Sequence, residues 1–260
     1  MTVLCANLWH DWPRGRRLAE RLEAFAELVL HASVDLVLLQ EVMRSSAVHA
    51  DEHLSERLGM DCVYARAHGH RTLAGFEEGV AILSRLPLRA PRAVALGPRR
   101  GRLLRRLALA ARVEVEGAPL VVVTAHLALR HRRNTRQLRA LETFVDEVAG
   151  SETALVGADL NAHETRPEIR SLLGRWRDLY RLAHPEGDAT TFEWRGPLGR
   201  PAIRRRLDYL LLRPGAPDWR CVEIARTEAP GGGHSDHRAL LARLEPARGT
   251  APPAGAGRAR

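Results

Sequence analysis

The sequence predicts an α/β fold in which mixed β-sheets carry helices on their outer faces. Three observations predict it. Short apolar runs bounded by polar turns recur at 34–39, 80–84, 107–115, 120–125, 153–158, 207–212 and 239–244, as strands buried on at least one face do. Residues 16–31 and 132–148 instead return an apolar side chain every three or four positions, the spacing of a helix with one buried face. Some runs follow one another with no room for a helix between them. Parallel pairing needs a long crossover and antiparallel pairing does not, so both kinds of pair are expected.

The chain opens with Met1-Thr2-Val3-Leu4-Cys5-Ala6-Asn7, which has no basic leader or small-residue cleavage site and reads as a first strand. A length of 260 residues suits one domain, expected over 1–245. Beyond it, 246–260 alternates Pro, Gly, Ala and Arg with no apolar periodicity and reads as a disordered tail. No stretch approaches the roughly 18 apolar residues of a membrane span. The expectation is therefore a cytoplasmic protein with no integral membrane association; its oligomeric state stays open, with a monomer favoured. Cys5, Cys62 and Cys221 are odd in number and far apart, which argues against a disulfide framework or a thiolate zinc site; all three read as plain core thiols. The formal charge of +9 invites a polyanionic partner. Every basic side chain is Arg and none is Lys, a bias that weakens that inference.

Several strands end in residues suited to phosphate or metal chemistry. Leu39-Gln40-Glu41 closes an apolar run with a carboxylate, and ligands gather at the carboxyl ends of strands in α/β sheets. Gly157-Ala158-Asp159-Leu160-Asn161 closes another with an acid and an amide two positions apart. An extended chain would put both on one face; an Asx turn is the competing reading. Thr124-Ala125-His126 delivers a histidine in the same way. Asp208 stands in the apolar run Arg206-Leu207-Asp208-Tyr209, where burial without a partner would be costly. His237, in Ser235-Asp236-His237, is its natural partner, since an Asp–His pair fixes the imidazole tautomer and raises its basicity.

The succession of Asn7, Leu39-Gln40-Glu41, Gly79-Val80-Ala81-Ile82-Leu83-Ser84-Arg85, Thr124-Ala125-His126, Gly157-Ala158-Asp159-Leu160-Asn161, Arg206-Leu207-Asp208-Tyr209 and Ser235-Asp236-His237 resembles the endonuclease/exonuclease/phosphatase superfamily. The resemblance implies a four-layer sandwich: two mixed β-sheets packed face to face, with helices outside and the site at one edge. It also implies a Mg²⁺- or Mn²⁺-dependent hydrolase acting on phosphate esters. Glu41 would be the principal metal ligand, with Asn7 and Asp236 close to the metal. Asp159 and Asn161 would position the attacking water and the phosphate. His126 would touch the phosphate or serve the leaving group, and Asp208 with His237 would form a dyad. Asp159 and His237 both stay open as the group that takes the water's proton.

The resemblance fixes the bond type and not the molecule. Arg132, Arg136 and Arg139 share one helix face by spacing and could track a nucleic-acid backbone, although a solvated face is the blander reading. The segments 68–76 and 195–200 are the loops expected to shape substrate choice. Trp9, Trp12, Trp176, Trp194 and Trp219 could stack bases but form no platform in sequence. A nuclease or small phosphodiesterase is favoured over a phospholipid or inositol-phosphate phosphohydrolase. An inactive binding module with the same fold is the reading from another class.

Overall fold

The computed structural model describes residues 1–9, 11, 17–70, 74–97, 105–195, 201–227 and 235–247, with the backbone alone at 195, 201 and 202. The first strand β1 (Thr2–Asn7) leads through helix α1 (Leu18–His31) to β2 (Leu36–Ser45), helix α2 (Ala50–Leu58), and the hairpin of β3 (Asp61–His70) and β4 (Phe76–Ser84). Then β5 (Arg89–Ala95), β6 (Leu107–Val115) and β7 (Ala118–His126) lead to helix α3 (His131–Ala149) and β8 (Ala154–Asp159). Helix α4 (Pro167–Leu173), the short β9 (Arg177–Asp178) and α5 (Leu179–Ala183) precede a separate hairpin, β10 (Phe192–Arg195) and β11 (Pro201–Arg205). The chain continues with β12 (Asp208–Arg213), β13 (Trp219–Arg226) and β14 (Leu240–Pro246).

These strands build two six-stranded sheets, one ordered β13-β14-β1-β2-β4-β3 and the other β5-β6-β7-β8-β12-β9. Each holds one parallel pair among antiparallel ones: β1 with β2, and β7 with β8. Parallel neighbours need a crossover, and the two helices legible in the sequence supply it, α1 in the first sheet and α3 in the second. Burying both faces of each sheet divides the apolar side chains into three clusters. Cys5, Leu38, Val122, Leu155 and Leu210 pack between the sheets. Leu22, Phe25 and Val29 of α1 cover the outer face of the first sheet, and Leu138, Leu141 and Phe144 of α3 cover that of the second. The four-layer sandwich expected from the resemblance is the observed fold.

Several expectations are corrected in detail. The segment 68–76 is not one loop: His68 to His70 end β3 and Phe76 begins β4, while 71–73 lie outside the described residues. Likewise Arg195 ends β10, and 196–200 lie outside the described residues, as do Trp12 and 248–260 of the expected tail. Strand β14 runs to Pro246, one residue past the expected boundary. Cys5 is buried, but Cys62 and Cys221 are only partly so; all three are free thiols. Trp176 and Trp219 are core residues, whereas Trp194 is half exposed. Among the described residues no helix is long and apolar enough to cross a membrane.

The sheets approach closely beneath one edge. A Cβ built on Gly157 of β8 would lie 2.6 Å from Leu38 Cδ1 on the opposite sheet and 3.0 Å from Cys5 Sγ beside it. Overpacking of this kind typically costs about 1–3 kcal/mol. Gly157→Ala should therefore lower the unfolding free energy in urea by that amount with the m-value unchanged. Undiminished stability would show that the sheets are not held at this separation.

Candidate active site

Strand register alone brings the chemistry-bearing residues to one edge of the sandwich. Asn7 ends β1 beside Gln40, and His126 ends β7 beside Asp159, which ends β8. Asp208 opens β12 directly opposite Asp159. It thus stands at the strand's start and not within it. The bulge between Leu39 and Val42 in the pairing of β2 with β4 breaks the alternation at Gln40 and Glu41, and Glu41 takes a positive φ of 53°. A non-glycine residue in that region is strained, and such strain gathers at functional positions. The bulge lets Gln40 point inward and leaves Glu41 partly exposed at the edge.

Below the edge, Gln40 is fully buried, and its Nε2 donates to Thr124 Oγ1 at 2.9 Å and Gly157 O at 3.3 Å on the other sheet. Thr124 Oγ1 donates back to Leu39 O at 3.2 Å. Above this brace, Asn7 Nδ2 donates to Glu41 Oε1 at 3.2 Å and Asp159 Oδ2 at 3.0 Å. Its Oδ1 accepts the backbone N–H of Trp9. Asn7 thereby ties a carboxylate of each sheet to the other.

Asn161 takes a φ of 49°, and its N–H donates to Asp159 Oδ1 at 2.9 Å. The extended reading of this pair is thus replaced by the Asx turn, which still returns the Asn161 amide to the site. Its Nδ2 donates to Leu127 O at 2.9 Å and lies 3.1 Å from His126 Nε2. On the far side of the His126 ring, Arg106 Nη1 lies 2.9 Å from Nδ1. Arg106 and the Asn161 amide thus bring a donor to each ring nitrogen, and Nε2 also lies 3.5 Å from Asp159 Oδ2. Arg106 is held in turn by buried Glu78 at 3.0 Å, and Glu78 also pairs with His68 at 3.0 Å. Sequence reasoning missed Glu78 and Arg106. The acid pair before Gly79 was the one local signal for Glu78; Arg106, just ahead of β6, had none.

Asp208 and His237 are in contact. His237 Nδ1 lies 2.8 Å from Asp208 Oδ2, both side chains are buried, and Phe192 packs against the His237 ring with centroids 5.0 Å apart. Thr191 Oγ1 accepts the N–H groups of Leu207 and Asp208, fixing the approach to β12. Asp208 Oδ1 is buried with no hydrogen-bond partner among the described residues.

Crowded acids shift one another. Burial, then the charge of Asp208, pushes Asp159 up to about 7. Burial likewise pushes Asp236 up to about 6; His237 opposes the shift, while Glu41 and Asp208 add to it. For His237, burial opposes the charged ring, but Asp208 above all, then Asp159 and Asp236, push it up to about 10. The ligating atoms of Asp159, Asp208 and His237 lie within 4.8 Å of one another. Clustered oxygen donors with an orphaned buried carboxylate oxygen fit a hard divalent cation. Arg132, Arg136 and Arg139 are exposed on α3, which leads away from this edge.

The family follows from this site on this sandwich. A model of the Endonuclease/Exonuclease/phosphatase family matches residues 4–237, and the chain belongs to that family. No curated protein matches the sequence. Among solved structures, an endonuclease/exonuclease/phosphatase family protein from Leptotrichia buccalis is 17% identical with a TM-score of 0.77, covering 94% of this chain and 99% of its own. The human Nocturnin catalytic domain with bound sulfate is 18% identical, with a TM-score of 0.76 and coverage of 95% and 93%. TDP2 from D. rerio, complexed with a single-strand DNA product, is 18% identical, with a TM-score of 0.73 and coverage of 94% and 98%. At these identities the likeness concerns the fold alone.

If Asp208 and His237 act as one unit, Asp208→Asn and His237→Ala should each lower kcat strongly, and the double variant should lose little more. Fully additive losses would show that they act separately. Circular dichroism must first show that each variant is folded.

Proposed function

We propose that the protein is a Mg²⁺- or Mn²⁺-dependent phosphoesterase that hydrolyses a phosphodiester by attack of water. The observation that carries this reading is the convergence of His126, Asp159, Asn161 and the Asp208–His237 pair on one edge, with Glu41 beside them and no nucleophilic side chain required. Glu41 and Asp236 would hold the cation, with Asn7 close by. A divalent cation bound there would offset charge on the phosphate oxygens and the leaving group.

The chain's own residues account for the rest. The His126 ring and Asn161 Nδ2 are placed to meet a phosphate oxygen, and both are held by other hydrogen bonds before substrate arrives, which is what electrostatic preorganisation needs. Asp159 is held by Asn7 and by the Asn161 backbone and can orient the water. Asp208 holds His237 through Nδ1, leaving Nε2 for the reacting group. Asp159 and His237 both stay open as the group that takes the water's proton, His237 only once a bound cation has relieved the acids that keep its ring charged. A nuclease or small phosphodiesterase is favoured within this class, a preference supported by the fold shared with a protein solved on a single-strand DNA product. A phospholipid or inositol phosphate is the second substrate reading.

Purified protein should hydrolyse bis(p-nitrophenyl) phosphate with Mg²⁺ or Mn²⁺, and both EDTA and Glu41→Gln should abolish turnover. Undiminished turnover in EDTA would remove the metal from the mechanism. No hydrolysis of any nucleic-acid, lipid or small diester would favour an inactive binding module.

A further inference from the structure

Helix α3 joins the parallel strands β7 and β8, so it starts shortly past His126 and returns the chain to the strand that ends in Asp159. Its buried stripe runs Asn134, Leu138, Leu141, Phe144, Val145 and Ala149. The last five are apolar and belong to the cluster on the outer face of the second sheet. Asn134 stands at the head of the stripe, fully buried, where another apolar side chain would continue it. Asparagine is a poorer helix former than leucine, and a buried amide is costly unless it is hydrogen-bonded. Helix stability therefore does not account for it.

Its hydrogen bonds do. Nδ2 donates to Ala128 O at 2.9 Å and to Leu160 O at 2.6 Å, so both amide hydrogens are used. Oδ1 is buried with no hydrogen-bond partner among the described residues, which leaves the two donations as what this position supplies. Ala128 follows His126 and Leu127, and Leu160 lies between Asp159 and Asn161. One side chain thus clasps the two loops that carry His126 and Asn161. Gln137 Oε1, on the next turn of α3, accepts the Ala128 N–H at 2.8 Å. The loops also meet directly, Leu127 N–H donating to Asp159 O at 3.0 Å. The turn needs holding, because Asn161 has a positive φ of 49°, a region disfavoured for residues with a side chain. Leu160 is fixed at both ends, its N–H on Leu207 O at 2.8 Å and its carbonyl on Asn134. With that carbonyl released, the peptide before Asn161 is free to rotate and to carry the Asn161 amide away from His126.

We infer that Asn134 is a positioning residue: its side-chain amide holds the His126 loop and the Asp159-Leu160-Asn161 turn in register, so that His126 and Asn161 converge on one phosphate. The inference rests on the phosphoesterase reading and deepens it. Full-length protein would be assayed on bis(p-nitrophenyl) phosphate with Mn²⁺, below the melting temperature of each variant. Asn134→Ala should lower kcat by about tenfold to a hundredfold, with KM within about threefold of wild type. Added to Asn161→Ala, it should lose less than about threefold more, because the two act through one group. Leu138→Ala, in the same stripe, removes packing but no hydrogen bond and should keep kcat within about twofold of wild type. Asn134→Asp keeps the shape, donates to one carbonyl while protonated and to neither once ionised, so its kcat relative to wild type should fall as pH rises. In amide exchange followed by NMR, the Leu127 and Asn161 N–H groups should exchange at least about tenfold faster in Asn134→Ala, relative to Val122 within β7. Additive losses in the double variant would overturn the inference, as would equal losses in Leu138→Ala and Asn134→Ala. Unchanged exchange at both N–H groups would overturn it without reference to activity. Should Asn134→Ala fail to fold, Asn134→Asp decides, and a kcat ratio flat with pH would overturn the inference. No turnover by wild type would refute the phosphoesterase reading, and the exchange rates would still decide whether Asn134 holds the two loops.

Discussion

The site depends on one polar brace inside an apolar interface. Gln40 crosses from the first sheet to Thr124 and the Gly157 carbonyl of the second, and Thr124 reaches back to the Leu39 carbonyl. Apolar packing between sheets is largely non-directional and would tolerate small slips. A buried amide that loses its partners costs about 1–3 kcal/mol, so the brace selects one registry. In that registry β2 and β8 bring Glu41 and Asp159 close enough for one Asn7 amide to bond both. Gly157 serves the same constraint by leaving space for Leu38 and Cys5.

Gathering so many acids has an electrostatic cost. Burial, with Glu41 and Asp208 adding to it, raises the proton affinity of Asp159 and Asp236, and Asp208 above all holds His237 in its charged form. Such perturbed groups, clustered at strand ends, are a signature of function more than of stability. A cation and a phosphate would complete the balance: the cation offsets the carboxylates, and the phosphate meets His126, Asn161 and His237. The Arg106–Glu78–His68 chain behind His126 fixes that ring from the opposite side, so each histidine has its own buried support.

Much of this was legible in the sequence because it is local. Seven apolar runs mark strands and two periodic segments mark the crossover helices, since burial on both sides of a sheet leaves a continuous apolar record. Strands β5 and β13 left none: most of their residues are exposed or only partly buried. The ends of apolar strands pointed to Glu41, His126 and Asp159 individually, the cost of burying an acid in an apolar run pointed to Asp208, and the family resemblance united them. What the sequence could not show was the long-range pairing. Arg106 and Glu78 meet across 28 positions, with no spacing rule to connect them. The conformation at Asn161 was also undecided, because Asp-Leu-Asn permits both a strand and a turn. Phe192 and Arg205 became neighbours of the site only through the fold of a hairpin whose tip separates them in sequence.

The crowding of carboxylates around the candidate cation site is tested most directly by the melting temperature against pH, measured with EDTA and with Mg²⁺. Without metal, Asp159 and Asp236 bind protons more tightly folded than unfolded. Their contribution to stability is therefore present at low pH and lost as pH rises through about 6 for Asp236 and about 7 for Asp159. His237 follows the same sign, its contribution eroding as pH rises toward about 10. The EDTA-treated protein should melt progressively lower from about pH 5 to about pH 8, and Mg²⁺ should raise the melting temperature most at the upper end. A flat profile in EDTA, or no response to Mg²⁺ or Mn²⁺ at about pH 8, would contradict the cation site and the charge crowding that builds it.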